Sequence, residues 1–134
     1  MKFPLSAVLV IVCTYFISCT KEDSPHPIVG TWQIDYVTQA GQALPLDRCA
    51  QQTTVAFTTA GIFNEKRFSP KISGCFLNRD QGVWVDNGDN RMTITYDDGH
   101  ADFQNTTYQI TTNALLFTKG ITPNTIVVAF KKIE

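Results

Sequence analysis

From residue 28 onward the chain alternates apolar and polar side chains with a period of two, and hardly anywhere with the period of a helix. Trp32, Ile34 and Tyr36 alternate with Thr31, Gln33 and Asp35, and Val55 and Phe57 with Thr54, Ala56 and Thr58. Met92, Ile94 and Tyr96 alternate with Thr93 and Thr95, and Ile126, Val128 and Phe130 with Val127, Ala129 and Lys131. The frequent threonines suit a pleated surface, where β-branched side chains pack well. Turn chemistry separates the runs at Thr59-Ala60-Gly61, Asp86-Asn87-Gly88-Asp89-Asn90, Asp97-Asp98-Gly99-His100, Thr112-Asn113 and Thr122-Pro123-Asn124. The pattern predicts eight strands, near 29–38, 52–58, 61–69, 81–86, 91–96, 103–110, 114–119 and 125–133. Eight short strands with tight links make an antiparallel meander, and eight is a number that closes without exposed edges. The expected fold is all-β: an eight-stranded antiparallel up-and-down barrel.

Residues 28–134 fit one domain. With 43% hydrophobic and only 17% charged residues, the chain has material for a core and is not of disordered composition. Its net charge of -1, or -2 without the segment bearing Lys2, leaves no basic face for nucleic acid.

The segment before the domain has its own pattern. Lys2 precedes an apolar run from Phe3 to Ile17, then Ser18, Cys19 and the polar stretch Thr20 to Ser24. The run is shorter than the roughly 20 residues that span a bilayer core as a helix. Phe16-Ile17-Ser18-Cys19 resembles the lipobox of a bacterial lipoprotein signal. Cys13 competes, but the branched Val12 before it suits cleavage poorly. The resemblance implies a signal peptide at 1–18, lipid attachment at Cys19 and a flexible tether over 19–27. An ordinary signal peptide with an incidental cysteine, or an uncleaved anchor, is the alternative. Lys21-Glu22-Asp23 resembles the export signal of surface lipoproteins of Bacteroidetes, which implies an outer-membrane lipoprotein on the periplasmic face or, in preference, the cell surface. Pro25 and Pro27 stiffen the linker around His26.

Ile28-Val29-Gly30-Thr31-Trp32, Thr54-Val55-Ala56-Phe57 with Gly61-Ile62-Phe63, Gly82-Val83-Trp84 and the closing Ile126-Val127-Val128-Ala129-Phe130 resemble the lipocalin-like domain of Bacteroidetes lipoproteins. The resemblance covers essentially the whole domain and implies that Gly30-x-Trp32 starts the first strand at the closed end of a lipocalin-like barrel. Links one, three, five and seven then lie at the open mouth, with Cys49 in the first and Cys75 in the third. In an exported protein two such cysteines usually pair. Free thiols or a metal site are the alternatives, and the latter lacks nearby partners.

Chemistry is sparse. His26 is placed in the linker, which leaves His100, with Asp97, Asp98 and Asp102, as the one polar cluster with a chemical look. It suits a divalent cation, or simply a turn at Asp98-Gly99, and the turn is preferred. Asp86 to Asn90 has Asp/Asn/Gly spacing but is too short for a calcium loop and reads as a hairpin turn. No catalytic residue, metal or cofactor is expected. Trp32 and Trp84 are expected to plug the closed end. Phe57, Phe63, Tyr96, Tyr108 and Phe130 are interior candidates for ligand contact, or plain core. Leu44, Leu46, Phe76 and Leu77 are rim candidates, with the link after the first strand as a lid. The expected function is a monomeric, membrane-anchored, non-enzymatic binding module for a small hydrophobic ligand. The alternative is an interaction or inhibitor barrel whose disulfide-tied rim contacts a surface protein.

Overall fold

The computed structural model describes residues 24–134; the signal segment, Cys19 and Lys21 to Asp23 lie outside the described residues. Nine strands follow in order: β1 (Gly30–Gln39), β2 (Gln42–Leu44), β3 (Thr54–Phe57), β4 (Ile62–Lys71), β5 (Gly74–Gly88), β6 (Arg91–Tyr96), β7 (Phe103–Ile110), β8 (Ala114–Lys119) and β9 (Ile126–Lys132). Neighbours from β3 to β9 pair antiparallel, β1 pairs with β3, and β9 returns to β1. Eight strands thus close an antiparallel barrel, with β2 a short flap hydrogen-bonded to the far end of β1.

Closure depends on local irregularities that alternation does not reveal. In β1, Ile34 pairs with Phe130 but Tyr36 pairs with Ala129, so Asp35 is an extra residue. The extra residue reverses the phase, contrary to the expected run of Trp32, Ile34 and Tyr36: Val37 turns inward and Tyr36 is 43% exposed. A second shift, between the β6–β7 pairs Met92/Thr106 and Ile94/Phe103, coincides with Asn105 at φ 45°. At Gly82 the wall is so close that an added Cβ would meet the Thr95 carbonyl oxygen at 2.2 Å. Only glycine fits there.

β4 and β5 depart most from expectation. Their ladder runs unbroken from Ile62/Val83 to Lys71/Gly74, so β5 starts seven residues before the predicted 81 and Cys75 lies in a strand rather than a link. Because β6 pairs only with Gly82 to Gly88, the upper part of this hairpin stands above the barrel. Along β5 above Gly82 polar and apolar side chains no longer sort, which hid the strand. The long link before β3 runs through β2 and a 3-10 turn, Ala50–Gln52, whose first amides donate to Asp47 Oδ1. Cys49 and Cys75 are bridged, with their Cα atoms 5.4 Å apart. The bridge ties this link to the protruding hairpin.

The lower barrel is filled. Trp32, Phe57, Phe63, Met92, Ile94, Leu115 and Phe117 are all fully buried in one cluster, and Ile28 seals it from below. Trp32 donates its indole N–H to the Ile28 carbonyl at 2.8 Å, and Trp84 donates to the Thr58 carbonyl at 3.1 Å. Both tryptophans sit where the sequence placed them, as a plug.

His26 corrects the tether assignment. Far from being a free linker residue, it packs on the plug, with its ring 5.5 Å from Trp84. Its Nδ1 accepts from the Ile28 amide at 3.3 Å, so the proton is assigned to Nε2, which donates to Asp86 Oδ2 at 3.2 Å and lies 3.3 Å from the Tyr108 hydroxyl. Order therefore begins before residue 28, and the chain enters the barrel at its closed end.

Candidate functional site

The strand period of two puts every second residue inside, and three strands that rise to the mouth end their inner faces on polar groups. On β4 the inner face runs Phe63, Glu65, Arg67; on β6 it runs Met92, Ile94, Tyr96; on β8 it runs Leu115, Phe117, Lys119. The lower members fill the core, and the last ones surround a cavity of about 350 Å³. Its walls are chiefly apolar: Ile34, Val37, Phe68, Phe103, Val128 and Phe130, with the ring of Tyr96. Ala50 and Thr53, from beside the disulfide, complete the wall that the short β3 leaves open, and Asp102 lies at the edge.

The polar groups form one network and one isolated charge. Glu65, whose side chain is only 13% exposed, accepts from Arg67 Nη2 at 2.8 Å and from the Tyr96 hydroxyl at 3.0 Å. Arg67 also reaches Asp80, which pairs opposite Glu65 on β5, at 3.6 Å. Burial, reinforced by the Glu65 carboxylate, pushes the Tyr96 phenol far above its ordinary range, so it remains a donor. The hydrogen bond to Glu65 likewise raises Arg67, outweighing its desolvation. Lys119 stands apart, its Nζ 3.8 Å above the ring of Phe103. Desolvation lowers its pKa, although Asp102 and Glu65 pull the other way.

Around the mouth, the His100 ring stacks on Tyr96 at 4.4 Å and 6°. The His100 amide donates to Asp98 Oδ1 at 3.0 Å, the ring Nδ1 contacts the same oxygen, and the backbone hydrogen bond leads the causes that hold the Asp98 carboxyl below its usual range. This is the local geometry of an Asx turn, as the sequence preferred. No cluster of three or more metal-ligating side chains exists among the described residues.

The sequence candidates divide. Tyr96 and Phe130 line the cavity. Phe57 and Phe63 lie beneath it in the filled core, and Tyr108 is at the opposite end beside His26, its phenol raised by burial and by Asp86. The four rim candidates are outside the lining. Leu44 is exposed on the flap, Phe76 is exposed on the hairpin with Lys71 Nζ 3.8 Å above its ring, and Leu46 and Leu77 are half-buried elsewhere. The expected lid is instead part of the wall, because its backbone pairs with β1 and its 3-10 turn packs on β1 and β4. Glu65, Arg67, Phe103 and Lys119 were not anticipated. The available signal was a charge in phase with the apolar positions two and four residues before it, as in Leu115, Phe117, Lys119.

Other depressions differ in their lining, which is mostly polar and charged. One of about 380 Å³ is lined by Arg91, Gln104, Asn105 and Thr107, and one of about 530 Å³ by Lys66, Arg79 and Asp80. Neither is lined by a cluster of large apolar side chains.

No curated protein matches the chain. Among solved structures, a de novo designed fluorescence-activating beta barrel is similar at 13% identity and a TM-score of 0.44, over 83% of this chain and 98% of that one. The model of the lipocalin-like domain matches residues 28–117, from the Ile28 seal through β8 at Phe117. A closed eight-stranded antiparallel barrel plugged at one end agrees with that match over most of the chain, and the chain belongs to the lipocalin-like domain family.

Proposed function

We propose that this chain is a monomeric outer-membrane lipoprotein, anchored through lipid on Cys19 and displayed at the cell surface, whose barrel binds a small hydrophobic ligand without catalysis. The observation that carries the ligand reading is the mouth cavity: about 350 Å³, mostly apolar, above a core that is otherwise filled. That volume falls within the range of small-molecule sites, roughly 300 to 1,000 Å³. The anchoring is supported by the lipobox-like Phe16-Ile17-Ser18-Cys19. The docking of His26 at the closed end supports a tether that leaves from the end opposite the mouth.

The test is uptake of the uncharged probe N-phenyl-1-naphthylamine by the full chain in lipid nanodiscs, with empty nanodiscs subtracted. Wild-type protein is expected to bind with saturable fluorescence enhancement, and Val128→Trp, which fills the cavity, to weaken it at least tenfold with little change in melting temperature. Saturable binding that Val128→Trp leaves intact would place the probe elsewhere and overturn the reading. Mass spectrometry of the membrane fraction tests the anchor, since an unmodified Cys19 contradicts it.

A second reading, contact with another surface protein, is favoured by exposed apolar side chains near the mouth: Leu44 on the flap, and Ile72 and Phe76 on the hairpin. It predicts that Ile72→Asp abolishes co-purification of a host protein while leaving probe uptake unchanged.

A further inference from the structure

We infer that Lys119 makes the mouth cavity selective for apolar ligands that carry one anionic head group, a carboxylate or a sulfonate. The selectivity presupposes that the cavity is a ligand site and assigns the chemical class that site takes.

It follows from the charges facing the cavity. Glu65 is already engaged, accepting two contacts from Arg67 at 2.8 and 3.4 Å and one from Tyr96 at 3.0 Å. Arg67 is matched by Glu65 at 2.8 Å and by Asp80 at 3.6 Å. Asp102 lies at the edge with its side chain 52% exposed, 3.9 Å from His100 Nε2. Lys119 differs from all of these. It is half-buried, and no carboxylate among the described residues comes within ion-pair distance of its ammonium.

What the ammonium does face is the ring of Phe103, a weak partner for a cation at a partly exposed site. A hydrated carboxylate partner would offer more, and water is partly excluded. Desolvation lowers the Lys119 pKa, and Asp102 and Glu65 only partly offset that. An anionic head group supplies the missing partner, while its apolar body lies along Phe103, Val128 and Phe130 toward Ile34. A cationic head group meets repulsion from Lys119, while Glu65 is already engaged by Arg67 and Tyr96. The flexible lysine stem and its three donors accommodate either a carboxylate or a sulfonate. Position matters as much as charge: Lys119 follows Leu115 and Phe117 in the inward phase of β8, and its pairing opposite Ile126 fixes it at the mouth.

The experiment compares two probes that differ by one charged group, N-phenyl-1-naphthylamine and its sulfonate, 8-anilinonaphthalene-1-sulfonate. Both are titrated into the full chain in nanodiscs, again with empty nanodiscs subtracted. Lys119→Gln is expected to weaken the sulfonate about tenfold and to change the uncharged probe by less than twofold. Lys119→Arg is expected to retain most of the sulfonate affinity, since it restores the charge. Equal weakening of both probes by Lys119→Gln, or no loss of the sulfonate, overturns the selectivity while uptake of the uncharged probe leaves the cavity reading standing. Failure of wild-type protein to bind either probe overturns both.

Discussion

The two ends of the barrel are made by the same strands, yet they solve the burial of polar groups in opposite ways. At the closed end, the indole N–H groups of Trp32 and Trp84 each find a carbonyl, and the His26 ring meets Ile28, Asp86 and Tyr108. Aromatic packing closes the remaining space, with Phe57 5.2 Å from Phe63 and 5.9 Å from Trp84. At the mouth, the same inner-face register ends on Glu65, Arg67, Tyr96 and Lys119, and the space between them is left open. The difference teaches where a small barrel holds stability and where it keeps room. One end is packed to the limit, while the other carries a cavity and a desolvated charge that a purely structural core would avoid.

The largest effect should come from truncating the plug. Trp32→Ala removes a fully buried side chain and its hydrogen bond, and should cost about 3 to 5 kcal/mol in urea unfolding. Phe103→Ala, at the half-buried mouth, should cost only about 1 to 2 kcal/mol, because its ring already borders open space. Equal costs at the two sites would abolish the distinction between a packed end and an open one.

Next in size is the disulfide, which belongs to the mouth. Cys49 and Cys75 are separated by 26 residues, and closing such a loop contributes about 3.5 kcal/mol by the chain-entropy estimate. Cys49→Ser combined with Cys75→Ser should lower stability by about 2 to 3.5 kcal/mol. Beyond that global loss, amide exchange should accelerate most in the hairpin of β4 and β5 and in the 3-10 turn that the bridge joins. Uniform acceleration, including the amides around Trp32, would mean that the bridge constrains only the unfolded chain and does not brace the mouth.

The same division governs what could be read from the sequence. The packed end was legible, since Trp32, Val55, Phe57, Met92 and Ile94 alternate with polar or small residues where one face of a strand is buried. The mouth was not, for three physical reasons. β5 leaves the barrel above Gly82, so its residues from Gly74 onward carry no inside-outside pattern. The extra residue at Asp35 and the shift near Asn105 change which side chains face inward at little local cost, trading Tyr36 for Val37 and bringing Phe103 inside together with Thr106 and Tyr108. Finally, Glu65, Arg67 and Lys119 occupy inward positions with charged side chains, which a binary apolar-polar pattern assigns to solvent. The rim candidates lie outside the cavity: Leu44 and Phe76 are apolar and near the mouth, but they are exposed on the flap and on the hairpin. His26 was missed because two flanking prolines marked it as linker. Those prolines fix the backbone without preventing the ring from docking.

The smallest effect should come from His26, where the contrast between the ends can be sharpened most finely. His26→Ala deletes partly exposed contacts to Asp86 and Tyr108, and should cost about 0.5 to 1 kcal/mol. Its local consequence should be larger than its global one. The Ile28 amide loses the acceptor Nδ1, and Val29, whose amide donates to the His26 carbonyl at 2.9 Å, loses the restraint that holds this turn. Amide exchange at Ile28 and Val29 should quicken about tenfold, while Tyr96, whose amide is held by the His100 carbonyl at 2.9 Å at the mouth, should not change. If the mouth amides respond as strongly, the tether couples to the cavity through the strands, and the packed end transmits what happens at the anchor. If only the closed end responds, the tether orients the barrel and leaves the mouth to act alone.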